Sequence, residues 1–100
     1  MSSLFNQLAF IKLENGKLNL FVDLMKSPDG NEVTRSFPGN ILFEVTQDDQ
    51  DENSIIINEK WDCKVSWENY MKFRANSSFV NELSSFLAAP PEFKIVTAID

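Results

Sequence analysis

Hydrophobic and polar positions alternate most strictly between Ser54 and Phe73, SIIINEKWDCKVSWENYMKF. Trp61, Cys63, Val65 and Trp67 occupy every second position, with Asp62, Lys64 and Ser66 between them, a period of two that predicts a strand with one face in a core and the other in water. Ile55, Ile56 and Ile57 start a strand upstream. Asn58-Glu59-Lys60 interrupts the apolar pattern, so the stretch is either one long bent strand or, the reading favoured here, two strands joined at that point.

The same alternation runs through the N-terminal quarter. Gln7 to Leu13 and Leu18 to Met25 flank Asn15-Gly16, a pair suited to the two positive-φ positions of a type I′ turn, and together they predict a β-hairpin. In its second arm Leu18, Leu20, Val22 and Leu24 share one face, and Asn19, Phe21 and Asp23 the other. Pro28-Asp29-Gly30 is turn chemistry, Glu32 to Phe37 follows as a third strand, and Pro38-Gly39 turns the chain into a fourth, Asn40 to Thr46. Gln47 to Asn53, QDDQDEN, has four carboxylates and no apolar residue, which predicts a solvated loop. Glu68 to Asn76 fits a strand or a helical turn equally.

Near the C-terminus the period changes. Phe79, Val80, Leu83, Phe86 and Leu87 form one helical stripe, with Ser78 as N-cap and Pro90-Pro91 as the stop, so a helix is predicted from Ser78 to Ala89. Phe93 to Ile99 reads as a closing strand. The expected fold is a mainly β, α+β domain spanning residues 1–100 as a single unit. It would be an antiparallel meander of six to seven strands, a sandwich or partly open barrel, with one C-terminal helix.

Composition narrows the function without naming it. The 100 residues carry a net charge of −6, with no histidine and one cysteine. The absence of histidine removes imidazole bases and Ser-His-Asp or Cys-His pairs. It also leaves Cys63 without the partners a zinc site needs. Cys63 itself reads as a small core residue, the three glycines lie in separate turns rather than in a phosphate loop, and the Asp48-to-Glu59 spacing fails as an EF-hand where Asn53 replaces the turn glycine. No cofactor, metal or catalytic residue is expected. No apolar run reaches the ~20 residues that span a bilayer, and the N-terminus lacks a basic leader, so a cytoplasmic protein is expected.

The acidic excess disfavours nucleic acid and anionic membranes as partners and suits a basic protein. In size, acidity and lack of catalytic groups the chain resembles small bacterial immunity proteins, which implies a non-enzymatic inhibitor that blocks the basic active site of a toxin, a nuclease first of all. The expected partner surface comprises Asp48, Asp49, Asp51, Glu52, Glu59, Asp62 and Glu68, with Trp67 and Tyr70 as aromatic anchors. A structural or adaptor domain that binds by its sheet edge and a phage-type nucleic-acid mimic are the alternatives.

Overall fold

The computed structural model describes residues 4–100. Among them are four strands and four helices, in the order β1 (Phe5–Lys12), α1 (Leu18–Lys26), α2 (Asn31–Ser36), β2 (Asn40–Asp48), β3 (Asp51–Trp61), α3 (Lys64–Arg74), α4 (Ser78–Ser85) and β4 (Glu92–Val96). The strands make one antiparallel sheet ordered β2-β3-β1-β4. Alternation along β1 and β3 turns one set of side chains towards the helices. Phe5, Gln7, Ala9 and Ile11 of β1 are buried there, as are Ile55, Ile57, Glu59 and Trp61 of β3. The register sets Ala9 opposite Ile57 and Gln7 opposite Glu59, so the core forms as rows across the sheet.

Against those rows pack Phe21, Leu24 and Met25 of α1, together with Phe86 beyond α4. A second cluster, Phe5, Trp61 and Tyr70 with Phe37 and Trp67 against it, closes the end of the sheet where β3 passes into α3. After α4 the chain returns to β1 through an isolated Leu13–Leu87 bridge before β4 pairs along the same strand.

This architecture corrects the expected six- to seven-stranded meander with one helix. The Asn15-Gly16 segment is a turn, but only Gly16 has positive φ (+83°), so the I′ geometry that would return a strand is absent and the chain enters α1. Phe21, assigned by alternation to the polar side, is 1% exposed, because on a helix it shares a face with Leu24 and Met25. Glu32 to Phe37 is likewise largely α2 rather than a strand. The alternating run after Trp61 is α3, in which Trp67, Tyr70 and Arg74 fall on one face and Val65 stays exposed. Asp51–Trp61 is one continuous strand, and the acidic segment is reduced to the tight Asp49-Gln50 turn of the β2–β3 hairpin.

The C-terminal helix is present but shorter than expected. Its N-cap is Ser77, whose hydroxyl accepts a hydrogen bond from the Val80 amide at 3.2 Å. The closing strand spans Glu92–Val96 rather than extending to Ile99. No helix among the described residues is long and apolar enough to cross a membrane.

Gly39, before β2, has φ +92°, and a Cβ built there would lie 2.7 Å from Asp62 Oδ1 and press still closer on Ser66. Gly39→Ala therefore meets an unfavourable backbone conformation and the start of α3 together. We expect it to lower stability by about 1–3 kcal/mol. In urea unfolding the midpoint should fall with the slope unchanged.

Candidate functional site

Between the helix-facing side of the sheet and helices α3 and α4 lies a cleft of about 190 Å³. Its floor includes Ala9, Phe43, Ile57 and Glu59, and its roof Tyr70, Met71, Arg74, Phe79 and Leu83, with Phe93 of β4 at one side. Antiparallel register explains the floor: Glu59 sits between Gln7 of β1 and Phe43 of β2, its cross-strand neighbours. Helical spacing explains the roof, because Tyr70 and Arg74 are one turn apart on α3.

Two ionisable side chains of opposite kind, Glu59 and Arg74, break this largely apolar surface. Glu59 is 6% exposed, and its Oε1 accepts a hydrogen bond from Trp61 Nε1 at 2.8 Å. Burial pushes its carboxyl above the usual range, and hydrogen bonds from Trp61 and Gln7 oppose that shift only in part. Arg74 is 5% exposed. Its Nε donates to the Tyr70 hydroxyl at 2.9 Å, and its Nη2 donates to the Gly30 carbonyl at 3.0 Å and to Thr34 Oγ1 at 3.3 Å. The Thr34 and Tyr70 hydroxyls are 2.7 Å apart, and the Phe79 ring lies 3.9 Å from the guanidinium carbon. Glu59 is thus a carboxyl poised to accept a proton, and Arg74 a fixed cation, both facing an apolar cavity.

The expected partner surface does not assemble as one patch. Asp48, Asp49 and Glu52 are exposed at the β2–β3 hairpin, where Asp51 pairs with Lys12. Hydrogen bonds from Lys12, Ser54 and the Asn53 amide hold the Asp51 carboxyl down at about 2. That turn is eight residues of strand, about 26 Å, from Glu59. Asp62 and Glu68 are exposed at the opposite end, where the Ser66 hydroxyl holds the Asp62 carboxyl below its usual range.

Glu59 and Tyr70 do come together, lining the cleft, while the half-buried Trp67 packs against Phe5, Trp61 and Tyr70. Trp67 stacks on Phe5 with ring centroids 4.8 Å apart, and its buried Nε1 has no hydrogen-bond partner among the described residues. Arg74, Thr34, Gln7 and Phe79 were not anticipated. The Trp67, Tyr70, Arg74 spacing was the available signal for Arg74, had the segment been read as a helix.

The sequence profile of one family, described as antibiotic biosynthesis monooxygenase, matches residues 4–81. Among solved structures, a Nitrosomonas europaea protein described as a candidate antibiotic biosynthesis monooxygenase superimposes with a TM-score of 0.87 at 13% identity, covering 99% of this chain and 93% of that one. A conserved Methanosarcina mazei Go1 protein gives a TM-score of 0.78 at 23% identity, covering 93% and 90%. A third, from Chloroflexus aurantiacus J-10-fl and described like the first, gives 0.75 at 18% identity, covering 96% and 95%. No curated protein matches the chain.

These findings overturn the expectation of a non-enzymatic immunity or inhibitor protein, and with it the adaptor and nucleic-acid-mimic alternatives. The family and several of its solved neighbours are named as monooxygenases, which points to an enzyme. Acidity and missing histidine misled because neither excludes a reaction carried by a buried carboxyl. With its profile matched from residue 4 to residue 81 of 100, this chain belongs to the antibiotic biosynthesis monooxygenase family.

Proposed function

We propose that this chain is a monooxygenase that holds a small aromatic molecule in the cleft between the sheet and helices α3 and α4, with Glu59 as the proton acceptor. The observation that carries this reading is a buried carboxyl with raised proton affinity in the floor of a largely apolar cavity. A monooxygenase places one atom of dioxygen on its substrate and releases the other as water. The substrate itself can supply all four electrons: a phenol and dioxygen give a quinone and water. The ring loses one C–H and the O–H hydrogen as the second C=O forms, and removal of the phenol's proton makes the ring electron-rich enough for dioxygen to attack.

A base for that step works best when its pKa lies near the operating pH, and burial moves Glu59 in that direction. Trp61 Nε1 fixes the carboxyl's orientation, and the apolar walls exclude water from the reacting anion. The Tyr70 hydroxyl, held by Thr34 and Arg74, supplies a fixed dipole at the roof.

Incubating the protein under ¹⁸O₂ with a panel of one- and two-ring phenols, naphthols and hydroxynaphthoates tests the reading by mass spectrometry. At least one compound is expected to yield a product carrying one ¹⁸O atom from the gas at a rate above the protein-free control. A panel in which no product gains label beyond that control would end this assignment.

A further inference from the structure

Arg74 presents a charge that the fold does not balance. The ion pairs among the described residues are Lys12–Asp51 and Glu32–Arg35, and neither involves Arg74 although it is 5% exposed. Its hydrogen bonds go to neutral oxygens, the Tyr70 and Thr34 hydroxyls and the Gly30 carbonyl, and use Nε and Nη2. Nη1 makes no hydrogen bond among the described residues.

A buried ion without a counter-charge is costly, and stacking on Phe79 offsets only part of that cost. A staple between α3 and the Gly30 turn would need only the bonds that Nε and Nη2 already make. The uncommitted edge and the uncompensated charge belong to a guanidinium that lines the cleft. The N–H donors left on Nη1 can bond a carboxylate oxygen, a charge-assisted contact that a neutral amide cannot equal.

We propose that Arg74 is the anion-binding residue of the cleft and that the substrate is an aromatic carboxylate of one or two rings. The inference rests on the cleft being the substrate site. The size follows from volume: a cavity on the order of 150 Å³ takes up benzene, so 190 Å³ suits a slightly larger ring system. The chain's overall field cannot attract such a ligand, since the net charge is −6. A preference for an anion must therefore arise locally. The other charged side chain among the lining residues, Glu59, would hold its proton more tightly beside a bound carboxylate, which strengthens it as a base.

The test compares 2-naphthoate with the neutral isostere 2-naphthamide at pH 7.5 and 0.15 M salt, by NMR titration of the intact chain. The signals followed are the Leu83 methyls, the Phe79 ring and the Arg74 Nε–H. The carboxylate is expected to bind at least ten-fold more tightly and to move the Arg74 signal, which the amide moves little. In Arg74→Gln the two affinities should converge to within about two-fold. If that variant does not fold, the wild-type affinity ratio and the Arg74 signal decide alone. Equal binding of the two ligands in the cleft overturns the anion site and leaves the cleft reading standing, as does an anion preference that survives Arg74→Gln. If neither ligand perturbs Leu83 or Phe79, both readings fall.

Discussion

Glu59→Gln is expected to lower kcat by about 10²–10⁴-fold on whichever aromatic compound acquires label from ¹⁸O₂, the span that a positioned acid or base contributes. The amide keeps the shape of the side chain and can still accept from Trp61 Nε1, so packing and the aromatic cluster should survive. What it lacks is a lone pair basic enough to take a proton. The pH profile of kcat/KM in the wild type should rise through a pKa above the usual carboxylate value of 4.5, because the enzyme works only once Glu59 has ionised.

Stability should move the opposite way. A carboxyl whose folded pKa is raised stabilises the native state fully below its unfolded pKa and loses that contribution as pH rises through the folded value. Above that folded value the wild type therefore bears the cost of a charge in an apolar floor, and Glu59→Gln should be the more stable protein there. A variant at once slower and harder to melt is the signature of a functional group kept against the interest of the fold. A variant that retained the wild-type rate would remove Glu59 from the chemistry.

Trp61→Ala should be the most damaging single truncation. Trp61 is fully buried, its ring centroid lies 5.1 Å from Tyr70 and 6.2 Å from Phe37, and its Nε1 is the donor that holds Glu59. Removing so large a side chain from a packed core costs about 3–5 kcal/mol. Against a total of roughly 5–15 kcal/mol for a native domain, that leaves a marginal protein. Trp61→Phe separates the two roles. It retains most of the apolar volume and loses only the donor, at a cost of about 1–3 kcal/mol for a buried acceptor left unpaired. Because the Trp61 hydrogen bond lowers the Glu59 pKa, its loss should also move the rising limb of the pH profile to higher pH. Urea unfolding of both variants, with the Trp61→Phe pH profile, checks these expectations; an unshifted limb would show that the bond does not tune Glu59.

Which elements could be read from sequence depended on where two periods coincide. β2 stands close to where alternation puts it and α4 starts at the expected Ser78, but α4 ends at Ser85, short of Pro90-Pro91. β3 runs unbroken from Asp51 through Asn58-Glu59-Lys60, where the favoured reading was two strands. Leu18 to Met25 supports both readings over eight residues: Leu18, Leu20, Val22 and Leu24 alternate, while Leu18, Phe21, Val22 and Met25 make a helical stripe. The Asn-Gly pair tipped the reading towards a hairpin, although a helix can follow such a turn as well as a strand can.

At α3 the two tryptophans at even spacing outweighed the helical set Trp67, Tyr70, Met71 and Arg74. The site was legible only in fragments for the same reason. Glu59 shares the every-second-residue face of Ile55, Ile57 and Trp61. The polar Asn58-Glu59-Lys60 run reads as a break beside the acidic segment and hides that continuity, so Glu59 and Tyr70 were placed on the surface. Arg74 can be placed on the face of Trp67 and Tyr70 by its helical spacing from them, but not assigned a role. Its significance lies in what does not surround it, which no spacing records.

The β2–β3 hairpin acquires a meaning from its distance. Its carboxylates sit about 26 Å from Glu59, some three times the ~8 Å over which physiological salt screens an exposed charge. The largest concentration of negative charge in the chain is therefore electrically silent in the cleft. Carboxylates there can be gained or lost, or the turn can carry a label or a tether, while the proton affinity of Glu59 and the anion affinity of Arg74 stay as they are.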